Sequence, residues 1–241
     1  MPTCRAALLS IVLAALCMPA FRPARAQVVA VDIGHTVAAP GATSARGRGE
    51  FDFNRELATQ VVKALQARGM TVRLINADGN IASLRARPAE AEAEGAVLLI
   101  SLHHDSVSAN ELQRWRWNGE VREYNDDHAG HSLFVSRENP ELGRSLLCAR
   151  VIGARLQRLG FTPTHKNARR RPYADAVHAV HFYDGLAVLR HARMPALLFE
   201  AGVIRNRDEE LLLRDQKRQA RMADGIATAV AACLRNGKPA D

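Results

Sequence analysis

Apolar and polar positions follow two rhythms along this chain. Val28–Ile33 (VVAVDI) is a short β-branched run ending at Gly34, the pattern of a buried strand. From Asp52 onward Phe53, Leu57, Val61, Val62 and Leu65 recur at helical spacing, and Gly69 is placed to stop that helix. Thr71–Ile75 predicts a second strand. Residues 81–94, rich in Ala and Glu with Asn80 positioned as a cap, predict a helix. The run 96–102 (AVLLISL) reads as a third strand, and 133–136, 186–189 and 196–199 as shorter ones. Residues 141–159, closed by Gly160, and 216–234 carry amphipathic helical patterns. Strands alternating with helices predict an α/β fold, a single domain whose mixed, mainly parallel sheet is flanked by helices on both faces. Two stretches break the rhythm. Residues 106–131 are polar, hold Trp115 and Trp117, and read as an insertion or long loop. Residues 161–181 are irregular and basic, with Arg169-Arg170-Arg171-Pro172.

Composition changes this picture mainly at the N-terminus. The chain has 241 residues, 47% of them hydrophobic, enough for one substantial core. Arg5 precedes an apolar run over 6–18, and Ala24-Arg25-Ala26 has the small-x-small form of a cleavage site. The run is short for a bilayer span, so residues 1–26 read as a signal peptide rather than a membrane anchor, and 27–241 as the mature domain. The bulky Leu16 disfavours a lipoprotein reading of Cys17. Cleavage takes Arg5, Arg22 and Arg25 from the 33 basic residues and none of the 25 acids, so the net charge falls from +8 to +5. That charge suits an anionic envelope polymer, although solubility alone explains it; no nucleic-acid partner is indicated. Cys148 and Cys233 remain. Export permits a disulfide, yet their apolar helical settings point to small buried hydrophobes, and without a CxxC no thiolate metal site is indicated.

The chemistry gathers where predicted strands end, which is where open α/β sheets bind ligands. His35 follows the first strand, His103 the third, and Glu200 the strand at 196–199, while Glu50 lies beyond a Gly-rich loop. His35, Glu50 and His103 form a His₂Glu set of the kind that holds catalytic zinc. There is no HExxH, so spacing alone does not establish a metal. His178 and His181 read as surface residues.

Asp32-Ile33-Gly34-His35, then Pro40-Gly41-Ala42, then Glu50 resemble the opening of the zinc-dependent N-acetylmuramoyl-L-alanine amidases of the amidase-3 type. Ser101-Leu102-His103 is similar to that family's second His motif. Val188-Leu189-Arg190, Pro195 to Leu198 and Phe199 to Asn206 resemble its closing motif. The resemblance runs in order through residues 28–234. It implies Zn²⁺ held by His35, Glu50 and His103, with Glu200 as general acid/base. It further implies an exported amidase domain over 27–241, periplasmic or secreted, with peptidoglycan as substrate and no stable membrane insertion after signal cleavage.

There are departures from the family pattern. Thr36 replaces a common second Gly, Asn76 stands near a missing Arg, Glu92 replaces an Asn, and His104 stands where a small residue is usual. Some members carry a helix that blocks the zinc until a partner removes it; residues 106–131 occupy that region without an evident long helix, and a protein activator stays open. Asp32 reads as support for the first ligand's loop, Trp115 and Trp117 as sugar-stacking or cleft-covering residues, and His165 with Arg169–Arg171 as lining for an anionic or polar glycan-peptide. Two other readings stand beside the amidase: another exported zinc peptidase or amidohydrolase, and a non-catalytic wall-binding module.

Overall fold

The computed structural model describes residues 27–236; the expected signal peptide lies outside them. In chain order the elements are β1 (Val28–Ile33), α1 (Glu50–Gln66), β2 (Thr71–Ile75), α2 (Ala86–Ala93), β3 (Ala96–Asp105), β4 (Gln113–Trp117), β5 (Glu120–Tyr124), β6 (Ser132–Val135), α3 (Leu142–Arg158), β7 (Tyr173–Asp175), β8 (Val180–Phe182), α4 (Ala187–His191), β9 (Ala196–Val203), α5 (Arg207–Arg214) and α6 (Gln216–Asn236). Seven strands form one sheet in the order β2-β1-β3-β9-β6-β8-β7. β1, β2, β3 and β9 run parallel; β6 turns antiparallel to β9, and β7 to β8. The sheet is therefore mixed and mainly parallel, as its alternating strand and helix patterns require.

Strand alternation divides the core. Val29, Val31, Leu98, Ile100, Leu102, Leu197 and Phe199 face the layer of α1, α3 and α6. Ala30, Leu99, Phe134 and Leu198 face the opposite side, with Ala91 of α2 and Val188 and Leu189 of α4. Burial on both sheet faces explains why the central strands read as nearly continuous apolar runs.

Local departures from the sequence pattern have tertiary causes. α1 begins at Glu50 instead of Asp52, because the preceding loop satisfies its first amides: Glu50 N–H donates to Ala42 O and Phe51 N–H to Pro40 O. The helix expected over 81–94 shrinks to α2. Asn80 hydrogen-bonds Asp78 instead of capping, and Ile81 is held outside the helix by Asn76 Oδ1 and by Arg87. The 186–189 segment is a helical turn, α4, whose trailing carbonyls at Leu189, Ala192 and Met194 all accept from the Asn139 amide. The expected insertion at 106–131 contains the β4–β5 hairpin, and the irregular 161–181 stretch contains β7 and β8. His181 is buried between Tyr173 and Phe134, contrary to the surface reading, while His178 pairs with Asp175.

Cys148 and Cys233 are joined. α3 and α6 pack side by side and bring the two Cα atoms to 5.2 Å, so the pair is a disulfide and not two independent buried thiols. It closes a loop with a sequence separation of 85 residues. Replacing both with Ala is expected to cost about 4 kcal/mol of stability, on the order of 10 °C in melting temperature, measured by calorimetry against wild type.

His131 leads into β6 fully buried near Phe199, and neither ring nitrogen has a hydrogen-bond partner among the described residues. Burial pushes its pKa down to about 4. The unfolded chain then binds the extra proton between about pH 6.5 and 4, so this residue makes stability fall as pH drops through that window, by about 3 kcal/mol in all. His131→Phe is expected to flatten that acid limb in urea titrations at stepped pH; an unchanged slope would exclude His131 as its source.

Candidate functional site

The C-terminal ends of β1, β3 and β9 meet at one edge of the sheet. His35 stands one residue past Gly34 at the end of β1, and its backbone is left-handed at φ 68°, an uncommon state for a residue other than Gly. A buried clamp holds it there. Asn76 Nδ2 donates to Ile33 O and His35 O, each at 2.7 Å. Arg87, whose side chain is 2% exposed, donates to His35 O at 2.6 Å, Ile33 O at 2.8 Å and Ile81 O, and pairs with Asp32 at 3.2 Å. Asp32 also accepts from Ser101 Oγ at 2.6 Å, which ties β1 to β3. Asp32 thus supports the His35 turn, but through Arg87.

Glu50 is the first residue of α1, where the helix dipole favours a carboxylate. Its Oε2 lies 2.9 Å from His35 Nε2 and its Oε1 3.0 Å from His103 Nδ1. One ligand-type atom from each of His35, Glu50 and His103 falls within 4.8 Å of the others. Burial works against a charged Glu50, yet the hydrogen bonds and charges of His103 and His35 outweigh it and hold the carboxyl well below its ordinary range. The donor set fits a divalent cation: one carboxylate and two imidazoles converge, as in three-ligand zinc centres. The backbone fits too. A Cβ on Gly41 (φ +78°) would come 2.6 Å from Glu50 Oε2 and 2.7 Å from His35 Nε2, and one on Gly34 would strike the His103 ring.

Asn54, one turn along α1, donates to Gly34 O at 3.1 Å and meets His104 Nδ1 at 2.7 Å through its Oδ1. The His104 amide also reaches Glu50 Oε1. His104 is buried, and that burial pushes its imidazole down to about 3 despite the Glu50 charge. It is a support for the ligand set.

Glu200 stands in β9 as the register partner of His103. Its Oε2 is shut off from solvent and has no partner among the described residues. Burial, then the charges of Asp105 and Glu50, raise its pKa well above the ordinary carboxylate range, with Lys166 opposing. The four residues singled out in the sequence therefore share one edge of the sheet.

Comparison with known proteins decides the family. The model for N-acetylmuramoyl-L-alanine amidases matches residues 29–232. The chain belongs to this family. Among curated amidase relatives, the protein described as "Probable cell wall amidase LytH" of Staphylococcus aureus is 24% identical over 196 residues, 80% of this chain and 54% of the relative. The chain thus spans about half the length of the curated relatives it matches. The fold is that of the amidase from Clostridium difficile 630 (TM-score 0.71, 20% identity, 89% of this chain and 100% of that one). It is also that of the CwlD amidase from Clostridioides difficile, solved in complex with the GerS lipoprotein (TM-score 0.67, 18% identity, 87% and 99%).

Several residues of the candidate site escaped the sequence reading. Arg87 looked like part of an ordinary helix, although a lone Arg on the buried face of an Ala-rich segment was a usable signal. Asn54 is an i,i+4 partner of Glu50 on the otherwise apolar face of α1. Glu92, noted as a departure from the family, is remote from this network, 3.9 Å from Arg193. The tryptophans clamp the loop after β1: Trp115 Nε1 donates to Ala45 O, and Arg46 lies over both rings.

Arg87→Met would leave the buried Asp32 without its partner and the His35 turn without its clamp. A stability loss of about 3–5 kcal/mol is expected in urea denaturation, together with weaker divalent-metal binding. A loss below about 1 kcal/mol with metal affinity intact would show that the clamp is dispensable.

Proposed function

We propose that this chain hydrolyses the amide joining the lactyl group of N-acetylmuramic acid to L-alanine in peptidoglycan, with zinc held by His35, Glu50 and His103. The observation that carries the reading is the convergence of those three side chains beside Glu200 in a member of the amidase family. When bound, zinc makes water acidic enough to supply hydroxide near neutral pH and polarises the scissile carbonyl.

The protein's own work is positioning and proton transfer. Glu50, charged over the whole physiological range, and the two imidazoles form a fixed donor set. Glu200 takes a proton from the attacking water and hands it to the amide nitrogen, which is a poor leaving group until protonated. Its raised proton affinity suits the second half of that exchange, since the carboxyl holds the proton only until the amide nitrogen takes it and the amine departs.

Residues 1–26 are proposed to be a signal peptide and 27–241 the exported catalytic domain, acting in the periplasm or after secretion. The Cys148–Cys233 disulfide supports an oxidising compartment. No helix among the described residues is long and apolar enough to cross a membrane. A protein activator fits the same proposal, since the CwlD relative was solved with a lipoprotein.

Glu200→Gln is expected to slow release of free L-alanine amino termini from sacculi by about 10²–10⁴-fold. Bound metal, read by elemental analysis, should stay near wild type, and chelation should abolish activity. Retained activity in the variant would refute the role of Glu200. Cleavage of a different bond would indicate another zinc peptidase, and sedimentation with sacculi without product would indicate a wall-binding module.

A further inference from the structure

Beside Glu200 the sheet face opens into a cleft of about 550 Å³. Register dictates its floor. Leu198 lies two residues before Glu200 on β9, so the two side chains share a face about 7 Å apart along the strand. Across the antiparallel pairing, Ser132 stands opposite Glu200 and Phe134 opposite Leu198. A polar row at the reacting centre is thus followed by an apolar row. Ser106, Val107 and Ser108 form one side of the cleft; Lys166, Asn167, Arg169, Arg170 and Arg171, with Tyr183, also line it.

The basic residues differ in their partners. Lys166 Nζ donates to Asp105 Oδ1 at 2.8 Å and to Ser106 O at 2.6 Å. Arg169 Nη2 donates to Glu111 Oε1 at 2.7 Å. Neither Arg170 nor Arg171 pairs with a carboxylate among the described residues, although both line the cleft. Arg171 is oriented nonetheless: its guanidinium sits 3.6 Å from the Tyr183 ring centroid, and Nη1 donates to Arg170 O at 2.9 Å. A guanidinium stacked on an aromatic face keeps in-plane donors for a planar anion.

We infer that Arg170 and Arg171 form a carboxylate-recognition subsite, selecting substrates with a free carboxylate on the second residue of the peptide beyond the scissile amide. The inference rests on the amidase reading for the position of that amide. One extended residue spans about 3.3–3.6 Å, so the second residue of a peptide whose scissile amide sits at Glu200 draws level with the Leu198–Phe134 row. The first residue keeps a small apolar side chain between the two rows. The second brings its charge to two guanidiniums that no protein carboxylate neutralises, and a neutral carboxamide there forfeits the charge-assisted hydrogen bonds.

The test compares N-acetylmuramoyl-L-alanyl-γ-D-glutamate with its α-carboxamide. Calorimetry on the Glu200→Gln chain, slowed at least about a hundredfold so that the peptides stay essentially intact during a titration, is expected to give roughly ten- to hundredfold tighter binding of the carboxylate form. Adding Arg170→Ala and Arg171→Ala should bring that ratio to about one, with an unchanged melting temperature confirming the fold. Equal binding of the two peptides by the Glu200→Gln chain, binding of neither, or a ratio that survives the arginine substitutions would overturn the subsite. Failure of the wild-type chain to hydrolyse either peptide would instead count against the amidase reading, because the binding ratio is measured without turnover.

Discussion

A single buried guanidinium sets the geometry on which the candidate site depends. Arg87 reaches from α2 into the C-terminal edge of the sheet and satisfies the carbonyls of Ile33, His35 and Ile81 together with the Asp32 carboxylate. A buried cation is tolerable only when paired and fully hydrogen-bonded, and this one is. In return His35 is held in a left-handed backbone state that a β-strand would not leave it in. Asp32, paired with that guanidinium, also accepts from Ser101 Oγ, so β1 and β3 are locked in register just before His35 and His103.

The loop after β1 is tied down along its length. Its early part packs Gly41 against the His35 and Glu50 side chains. Its later part is anchored to α5, where Ser44 and Arg46 both bond Glu210, and Ala45 N–H meets Ile204 O. The β4–β5 hairpin closes over it through Trp115. A loop over residues 34–49, rich in Gly, Ala and Ser, would ordinarily be mobile; here tertiary contacts immobilise the segment that delivers Glu50 to the start of α1.

The two carboxylates of the site are driven in opposite directions by their neighbours. Two imidazoles outweigh burial at Glu50 and keep it charged, whereas burial and the nearby charges of Asp105 and Glu50 favour a proton on Glu200. Environments that separate the proton affinities of like groups are how one site supplies both a ligand and a proton carrier. Lys166, paired with Asp105, moderates the repulsion felt by Glu200 and marks the beginning of the cationic side of the cleft.

Much of this was legible in the chain itself. The β-branched runs at 28–33 and 96–102 and the 3.6-residue repeat of α1 specify buried strands and an amphipathic helix wherever they occur, so fold class followed from periodicity and motif order; His103 and Glu200, expected just past their strands, instead lie inside them, because pairing in register carries β3 to Asp105 and β9 to Val203. Short apolar runs did not suffice: 186–189 became a helical turn because Asn139 captures its carbonyls, and the helix expected from residue 81 lost a turn to Asn76 and Arg87. The disulfide, the burial of His131 and His181, and the Arg87 clamp depend on which elements lie side by side. Local sequence carries periodicity and chain order; adjacency between residues distant in the chain, such as Glu50 and His103 or Arg87 and Asp32, is decided only when the sheet order and helix packing are set, and the candidate site and its clamp owe their chemistry to that adjacency.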